Sequence, residues 1–307
     1  MKSSRSVTTP DKRLVVHVPQ LEALLREAGS LPPLVRALVE RGRSRDLDPQ
    51  SPQSELLVGR ALPAAALTRR IDRPDDARGA WMRADPIGLQ PDLAAVWLQA
   101  ETVFEPGEWF HGLSEMLGEE GLALELTGGG RGYIRLDTVP ECRFAPPWSL
   151  AGTSLEHCLP EGPDARRWRR LLNDTQVYLT QYRRAAENPA AVPGSLWFWG
   201  AGSLPAAGSV DPRVRRIVAD DPVLRGLADW LGLERLESHE SLDWLGGDLV
   251  EWPARHADDA DSNLERLQRA LRPAWRRLRR GGIRELELAG MTTRYRCTSR
   301  DAWRVWR

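Results

Sequence analysis

Two oppositely charged side chains lie two residues apart in a predicted strand, where they could act on an anion together. In the stretch WMRADP, Arg83 and Asp85 share one strand face, because side chains alternate along a strand. Arg131 comes from the predicted hairpin that faces them. Arginine donors match phosphate or carboxylate in a bidentate manner, so Arg83 and Arg131 could clamp a phosphorylated acid. The alternative is an internal Arg–Asp ion pair that ties the edge strands together.

A Gly-x-Gly step follows the most aromatic stretch of the sequence, SLWFWGAGSLP. Residues 195–199 predict a strand that is covered on both faces. Gly200 and Gly202 come where this strand is expected to end, and bare glycine backbone lets a ligand approach closely. Pro205 and small residues follow instead of a helix start, so an ordinary loop is the alternative. We expect a small anionic ligand, if one binds, to lie between these glycines and the arginine-bearing strands.

One region of the sequence is rich in histidine and acidic residues, which could either bind a metal ion or cap a helix. The residues concerned are His239, Glu240, His256, Asp258, Asp259 and Asp261. Hard metal ions bind clustered carboxylates. Residues 258–261 also precede a predicted helix, and acids there oppose the helix dipole favourably. We favour the capping interpretation, and predict no metal site, no cofactor and no catalytic residue.

The three cysteines, Cys142, Cys158 and Cys297, form neither a disulfide framework nor a zinc motif in the sequence. Their number is odd, their spacing is wide, and Cys142, His157 and Cys158 match no zinc module. This pattern is typical of structural thiols in a reducing compartment.

The elements that would position these residues predict an α/β fold. Strands are predicted at 13–18, 195–199, 215–220 and 246–252, hairpins at 81–137 and 283–298, and helices at 21–29, 32–42, 107–121, 162–187, 221–233 and 258–280, the last broken or kinked near Pro273. Alternation of strands and helices over 195–290 indicates a mixed sheet flanked by helices, with antiparallel edge hairpins. Residues 44–54 read as a polar connector.

We divide the sequence into two parts. Residues 1–71 are interpreted as an N-terminal strand and helical extension, and residues 72–307 as an α/β domain.

Composition excludes several classes of protein. The sequence has 43 basic and 43 acidic residues, and this formal net charge of zero argues against a dedicated nucleic-acid binder. We interpret the arginines of 162–187 as the solvated face of a helix. The first residues lack the apolar stretch of a signal peptide, and no apolar run approaches the length of a membrane-spanning helix. We therefore expect a cytoplasmic protein that does not enter the membrane. The expected partners are a small anionic or phosphorylated ligand, or another protein.

Five stretches, taken in order, carry a resemblance to a known family: ARGAWMRADPIGL (77–89), LPEGPDARRWRRLLNDTQ (159–176), PGSLWFWGAGSLP (193–205), ADDPVLRGLADWLGL (219–233) and RDAWRVWR (300–307). These stretches resemble the bacterial regulatory protein RpfE family, whose members are often labelled cofactor-independent phosphoglycerate mutase. RGYIRL and SLWFWGAGSLP are also distantly similar to the substrate domain of archaeal-type phosphoglycerate mutases. This resemblance implies an α/β fold and places both stretches in a substrate-binding domain.

The sequence departs from those enzymes where their chemistry is carried. The resemblance implies paired divalent metals held by Asp and His, with a first strand that ends in Asp-Gly. Here that strand ends in His17-Val18-Pro19, and the late Asp/His cluster has no counterpart. We therefore expect a non-catalytic, phosphomutase-like regulatory or ligand/partner-binding protein. The alternative is a metal-dependent phosphoglycerate mutase or phosphatase with a relocated metal site.

Overall fold

The computed structural model describes residues 12–91, 96–99, 103–150, 158–206, 208–237, 246–255 and 257–303. These residues form two compact units. Within the described ranges, unit 1 takes 12–48, 52–60 and 208–303, and unit 2 takes 49–51 and 61–206. The boundary predicted between residues 71 and 72 falls inside a helix of unit 2, whereas the chain changes unit near 48–61 and again after 206.

Unit 1 builds a seven-stranded mixed sheet from its described residues. In spatial order the strands are β2 (Arg43–Asp46), β12 (Thr293–Thr298), β11 (Glu285–Ala289), β1 (Arg13–His17), β10 (Asp248–Glu251), β8 (Arg216–Val218) and β9 (Glu234–Arg235). The five strands from β11 to β9 are parallel, and β12 and β2 continue the sheet in antiparallel fashion. The predicted mixed sheet is thereby confirmed.

The two faces of this sheet differ in polarity. Leu14 and Val16 of β1 point to one face, where they join Leu286 and Leu288 in an apolar core. Arg13, on the opposite face because side chains alternate, is ion-paired with Glu287. The run RLVVH is therefore buried throughout although its two faces meet different surroundings.

Six helices accompany the described part of unit 1. They are α1 (Leu21–Glu27), α2 (Pro33–Arg41), α3 (Pro52–Val58), α7 (Pro222–Leu231), α8 (Ala260–Arg279) and α9 (Ser299–Trp303). α1, α2 and α8 cover the apolar face, to which α8 contributes Leu264, Leu267 and Leu271. Pro222 opens α7 and Asp221 caps it by accepting from the backbone N–H of Leu224.

Unit 2 contains a five-stranded antiparallel sheet. Its strands are β3 (Ala80–Pro91), β4 (Val96–Gln99), β5 (Leu124–Leu126), β6 (Gly132–Leu136) and β7 (Ser195–Ser203). β3 is central: residues 80–83 pair with β6, residues 80–87 pair with β7, and residues 88–91 pair with β4. β5 and β6 form the predicted hairpin.

Three helices belong to the described part of unit 2: α4 (Ala64–Asp72), α5 (Glu108–Glu119) and α6 (Ala165–Ala185). α4 and α6 both pack against β7. The ring of Trp168 from α6 lies 5.2 Å from the ring of Phe198. Trp197, Phe198 and Trp199 are each at most 4% exposed, so the strand is covered on both faces as the sequence predicted.

One local expectation was wrong. The predicted connector 44–54 contains most of β2, whose side chains are exposed because it forms the sheet edge; a polar sequence is compatible with an edge strand. Near Pro273 the sequence predicted a break or a kink. α8 runs as one helix from Ala260 to Arg279 with Pro273 inside it, so the helix is not broken there.

Within the described residues, no helix is both long enough and apolar enough to cross a membrane.

Candidate functional site

Arg83 and Asp85, predicted to share a strand face, form an ion pair on β3. Nε and Nη2 of Arg83 donate to Oδ1 of Asp85 at 2.9 and 2.7 Å. Arg83 is only 5% exposed, and its Nη1 also donates to Thr68 Oγ1 at 3.3 Å. The internal pair weighed as an alternative in the sequence is therefore present, and it uses three of the five guanidinium donors.

Asp85 joins three strands through its carboxylate. Besides Arg83 on its own strand, it accepts from the backbone N–H of Gly132 in β6 at 3.1 Å. It also accepts from the indole Nε1 of Trp199 in β7 at 2.7 Å. Charge-assisted hydrogen bonds of this kind are stronger than neutral ones, so Asp85 holds the centre of the sheet together.

Arg131 is paired with a different carboxylate, Asp72 at the end of α4. Nε of Arg131 donates to Asp72 Oδ2 at 2.7 Å, and a second, very short contact joins Nη2 to Oδ1. Tyr133 also donates its hydroxyl to Asp72 at 2.7 Å. The side chain of Arg131 is 27% exposed. Of the two predicted arginines, Arg131 is thus the one that solvent and solutes can reach.

The two ion pairs belong to one electrostatic cluster. Burial alone would raise the pKa of Asp72, but hydrogen bonds from Arg131 and Tyr133 outweigh it and hold the pKa below its ordinary value. The Asp72 hydrogen bond raises the pKa of Arg131. Burial raises the pKa of Tyr133 even though the charge of Arg83 opposes the shift. At neutral pH the cluster therefore holds charged arginines, a charged Asp72 and a neutral tyrosine.

Aromatic rings enclose the arginines of the cluster. The guanidinium carbon of Arg83 lies 5.3 Å from the centroid of Tyr133 and 5.0 Å from that of Trp199. Arg69, which is 1% exposed, lies 4.0 Å from the centroid of Trp81 and is paired with carboxylates on its other side. Such cation–π contacts stabilise a guanidinium that is removed from water.

The Gly-x-Gly step lies inside β7, which corrects the expectation that the strand ends before it. Two residues of β7, Gly200 and Ala201, oppose one residue of β3, which is a β-bulge. Gly200 has φ = +65°, a backbone conformation that suits glycine. A Cβ at Gly200 would lie 3.1 Å from the Ala65 nitrogen, and one at Gly202 would lie 2.9 Å from Cβ of Pro63. The bare backbone therefore gives room to the start of α4.

A cavity of about 290 Å³ adjoins this bulge. Gly200 and Ala201 line it together with Pro63 and Ala64 at the start of α4 and with Phe144. Among the described residues, the lining does not include Arg83, Asp85, Arg131 or Gly202. The structure thus brings Arg83, Asp85 and the backbone beside Arg131 into one network, and places Gly200 at a neighbouring cavity.

The acidic region near the end of the chain caps a helix. Asp259 accepts from the backbone N–H of Ser262 at 2.7 Å, which makes it the N-cap of α8. Its pKa is lowered by that backbone hydrogen bond. His157, His239, Glu240 and His256 lie outside the described residues. Within the described ranges, no group of three or more His, Cys, Asp or Glu side chains could hold a metal ion.

In unit 1, polar residues meet at the carboxyl ends of the parallel strands. His17 ends β1 in register with Glu251 of β10, and burial lowers the pKa of His17 to about 4. Oε2 of Glu251 accepts from the backbone N–H groups of Asp220 and Asp221, each at 2.8 Å. Asp221 in turn accepts from Leu224 N at 2.8 Å, and burial raises the pKa of Asp221 to about 6. These carboxylates hold the β8–α7 connection in place.

Sequence reasoning missed Asp72, Thr68 and Tyr133 as members of the unit 2 cluster. Tyr133 had a signal, because it shares a strand face with Arg131 by the period of two. Asp72 had none that a sequence pattern could show, since it lies 59 residues before its partner and ends a helix of unremarkable composition.

Comparison with known proteins gives fold-level likeness at low identity. No protein-family model matches the chain, and no curated protein matches it. The structure is similar to a cofactor-independent phosphoglycerate mutase from Thermoplasma acidophilum DSM 1728, at 14% identity and a TM-score of 0.40, covering 96% of this chain and 95% of that one. It is also similar to the PH0037 protein from Pyrococcus horikoshii, at 12% identity and a TM-score of 0.40, covering 95% and 88% of the two chains.

Proposed function

We propose that this protein is a non-catalytic, phosphomutase-like protein that binds a small anionic ligand or a protein partner in a regulatory role. The finer placement in the RpfE regulatory family is part of the proposal and is supported by the sequence stretches quoted above. In this proposal, the residues at the carboxyl ends of the parallel strands of unit 1 have a structural role. They do not form the two-metal site of the enzymes that the sequence resembles.

One observation carries this proposal: the carboxylates at that edge are engaged with backbone. Glu251 accepts two backbone N–H groups through one oxygen, and Asp221 caps α7. A metal ligand needs its lone pairs directed at the ion, and paired metals need several such ligands around one nucleophile. His17 ends the first strand, at the position where the enzymes that the sequence resembles have Asp-Gly. It is buried beside Glu251. The residues at this edge stabilise the fold in their present arrangement.

The test is a coupled phosphoglycerate mutase and phosphatase assay with added Mn²⁺, with and without chelator. We expect no turnover above the protein-free rate under either condition. Robust turnover that the chelator abolishes would establish the metal-dependent mutase or phosphatase alternative. In that event Glu251→Gln would abolish activity if this edge is the site, whereas the exposed Glu105→Gln would leave it unchanged.

The small-anion part of the proposal concerns Arg83, Asp85, Arg131, Gly200 and Gly202 in unit 2. Arg131 is the residue that we propose to contact the anion. Its side chain is partly exposed, and its guanidinium has further N–H donors beyond those that bind Asp72. Arg83 is buried and committed to Asp85, so its proposed role is to hold Asp85 and the sheet in position.

A titration with phosphate, 3-phosphoglycerate and sulfate tests this assignment. If one of them binds, Arg131→Ala should weaken binding by roughly 1.5–3 kcal/mol, about tenfold or more, because a charge-assisted hydrogen bond is lost. Arg166→Ala, on the exposed face of α6, is the matched control and should leave affinity unchanged. Binding that is insensitive to Arg131→Ala would place the anion elsewhere.

A further inference from the structure

We propose that unit 1 carries a docking groove for an acidic amphipathic helix of a protein partner. The groove lies between α2 and α8, and α9 also contributes to its lining. It has a volume of about 440 Å³, and its lining includes Leu34, Arg41, Gln268, Arg272, Arg279 and Trp303. The inference of this α2–α8 groove rests on the protein-partner part of the proposed function and deepens it, and it does not depend on small-anion binding in unit 2.

The spacing of the lining residues suits a third helix. On α8 they are Gln268, Arg272, Trp275 and Arg279, separated by four, three and four residues. This is the heptad spacing by which one helix presents a seam to another. The first and last of these residues are eleven positions apart, or roughly 16 Å at the helical rise, which is about three turns of a docked helix. On α2, Leu34, Ala37 and Arg41 repeat the same three-and-four spacing.

Apolar residues form part of the groove lining. Leu34 is 9% exposed and Ala302 is 4% exposed. Oε1 of Gln268 accepts from Leu34 N at 2.8 Å, which joins the start of α2 to α8. Trp303, by contrast, is 57% exposed. An exposed tryptophan beside other apolar lining residues gives a partner's apolar side chains a surface on which to be buried.

The charge of the groove selects the partner. Arg41, Arg272 and Arg279 line it, and no acidic residue among the described ones does. In the part of the chain that the structure describes, neither Arg41 nor Arg272 is within 4 Å of a carboxylate. Arg279 stacks on Trp303 with its guanidinium carbon 4.0 Å from the ring centroid, and a stacked guanidinium can still donate to carboxylates through its edge.

These features require an occupant with carboxylates beside an apolar stripe. The chain's own last residues, Arg-Val-Trp-Arg at 304–307, carry two further arginines and so lack that counter-charge. An amphipathic helix with Leu-like residues at heptad spacing and Glu or Asp on the flanks supplies both components. Tryptophan and arginine are also the residues that contribute most at protein interfaces, and both are concentrated here.

The test uses the full chain and two synthetic helices of about three heptads. Both carry Leu at the a and d positions; one has Glu at the flanking positions and the other has Lys. Binding is followed by fluorescence anisotropy of the labelled peptide. We expect the Glu peptide to bind about tenfold or more tightly than the Lys peptide, because opposite charges steer and hold the helix.

Substitutions locate the binding. Arg272→Glu, Arg279→Glu and Trp303→Ala should each weaken binding of the Glu peptide by about tenfold or more, as expected for central interface residues. Arg166→Glu, an exposed charge reversal on α6 in unit 2, should change it less than about twofold, as expected away from an interface. Because these side chains are partly or fully exposed at the surface, thermal unfolding should show that the variants fold.

Several outcomes would overturn the proposal. They are no saturable binding of the Glu peptide, equal binding of both peptides, or binding that Arg272→Glu leaves unchanged. A dimer in sedimentation velocity that Arg272→Glu dissociates would assign the groove to a second copy of the chain instead. Binding that appears only after deletion of 304–307 would assign it to the chain's own tail. None of these readouts depends on turnover or on small anions, so the result is separate from that of the proposed function.

Discussion

The indole N–H of Trp199 donates to the carboxylate of Asp85 at 2.7 Å, and this contact joins the two longest strands of unit 2. Trp199 is 4% exposed, and the side chain of Asp85 is 13% exposed. We predict that Trp199→Phe lowers the free energy of unfolding by about 1–3 kcal/mol, because the mostly buried carboxylate of Asp85 loses a hydrogen-bond donor. Urea unfolding followed by far-UV circular dichroism measures the loss.

The matched control for that substitution is Trp303→Phe. The indole of Trp303 also donates to an oxygen, the Arg279 carbonyl at 3.0 Å, but the side chain is 57% exposed. Water can satisfy the carbonyl there, so the loss should stay within about 0.5 kcal/mol. Equal losses for the two variants would contradict a special role for the Asp85 contact.

The bulge at Gly200 gives a second prediction. Gly200→Ala places a Cβ 3.1 Å from both Ala64 Cβ and Ala65 N, in a backbone conformation of φ = +65°. Gly121→Ala, also in unit 2, has φ = +75° but nothing within 4 Å of its Cβ. The control should cost about 1–2 kcal/mol from conformation alone. Gly200→Ala should cost more, and the difference in urea unfolding free energy measures the packing of β7 against α4. Equal costs would show that α4 simply moves aside.

The sequence predicted most of the fold because its signals are local. A short apolar run marked β1, and alternating apolar residues marked the β5–β6 hairpin. The helix predicted over 221–233 is α7, which begins at Pro222. β2 was missed because an exposed edge strand carries no apolar alternation. The bulge at Gly200 was missed because a left-handed glycine reads equally well as a strand end or as a kink within a strand.

The candidate site was less predictable because its partners are distant in sequence. The Arg83–Asp85 pair followed from strand alternation, a spacing of two residues. Asp72, which pairs with Arg131, is brought there by the packing of α4 on the sheet, and no periodicity encodes that contact. The same limit applies to Glu251, whose bonds to the β8–α7 backbone depend on strand order.

Arg131 should control the acidity of Asp72. Hydrogen bonds from Arg131 and Tyr133 hold the pKa of Asp72 below its ordinary value, against the effect of burial. We predict that Arg131→Ala raises the pKa of Asp72, because burial remains while one donor and its charge are lost. An NMR titration of the Asp72 carboxyl carbon measures this change, with Arg166→Ala as a control that should leave the pKa unaltered. A pKa that does not rise in Arg131→Ala would contradict the assigned pairing.

His17, which is buried, and Asp221, which is partly buried, should make the stability of unit 1 depend on pH in opposite directions. Burial lowers the pKa of His17 from 6.5 to about 4, so between these values only the unfolded state binds the proton. The contribution of His17 to stability is therefore lost as the pH falls from 6.5 towards 4. Burial raises the pKa of Asp221 from 3.8 to about 6, so the folded state binds that proton more tightly. Its contribution is present below 3.8 and is lost as the pH rises through 6.

Single substitutions should separate the two dependences. Asp221→Asn keeps an N-cap acceptor for Leu224 but removes the titration, so its unfolding free energy should rise steadily from pH 4 to pH 6.5 as His17 alone acts. His17→Phe removes the imidazole, so its unfolding free energy should instead fall over pH 4 to 6. At 1.36 kcal/mol for each pKa unit, the free energy of unfolding of each variant should change by about 3 kcal/mol across its pH range. Urea unfolding at several pH values measures the pH dependence of the unfolding free energy in both variants. If this free energy changed with pH in the same direction in both, the pKa shift assigned to one of the two groups would be contradicted.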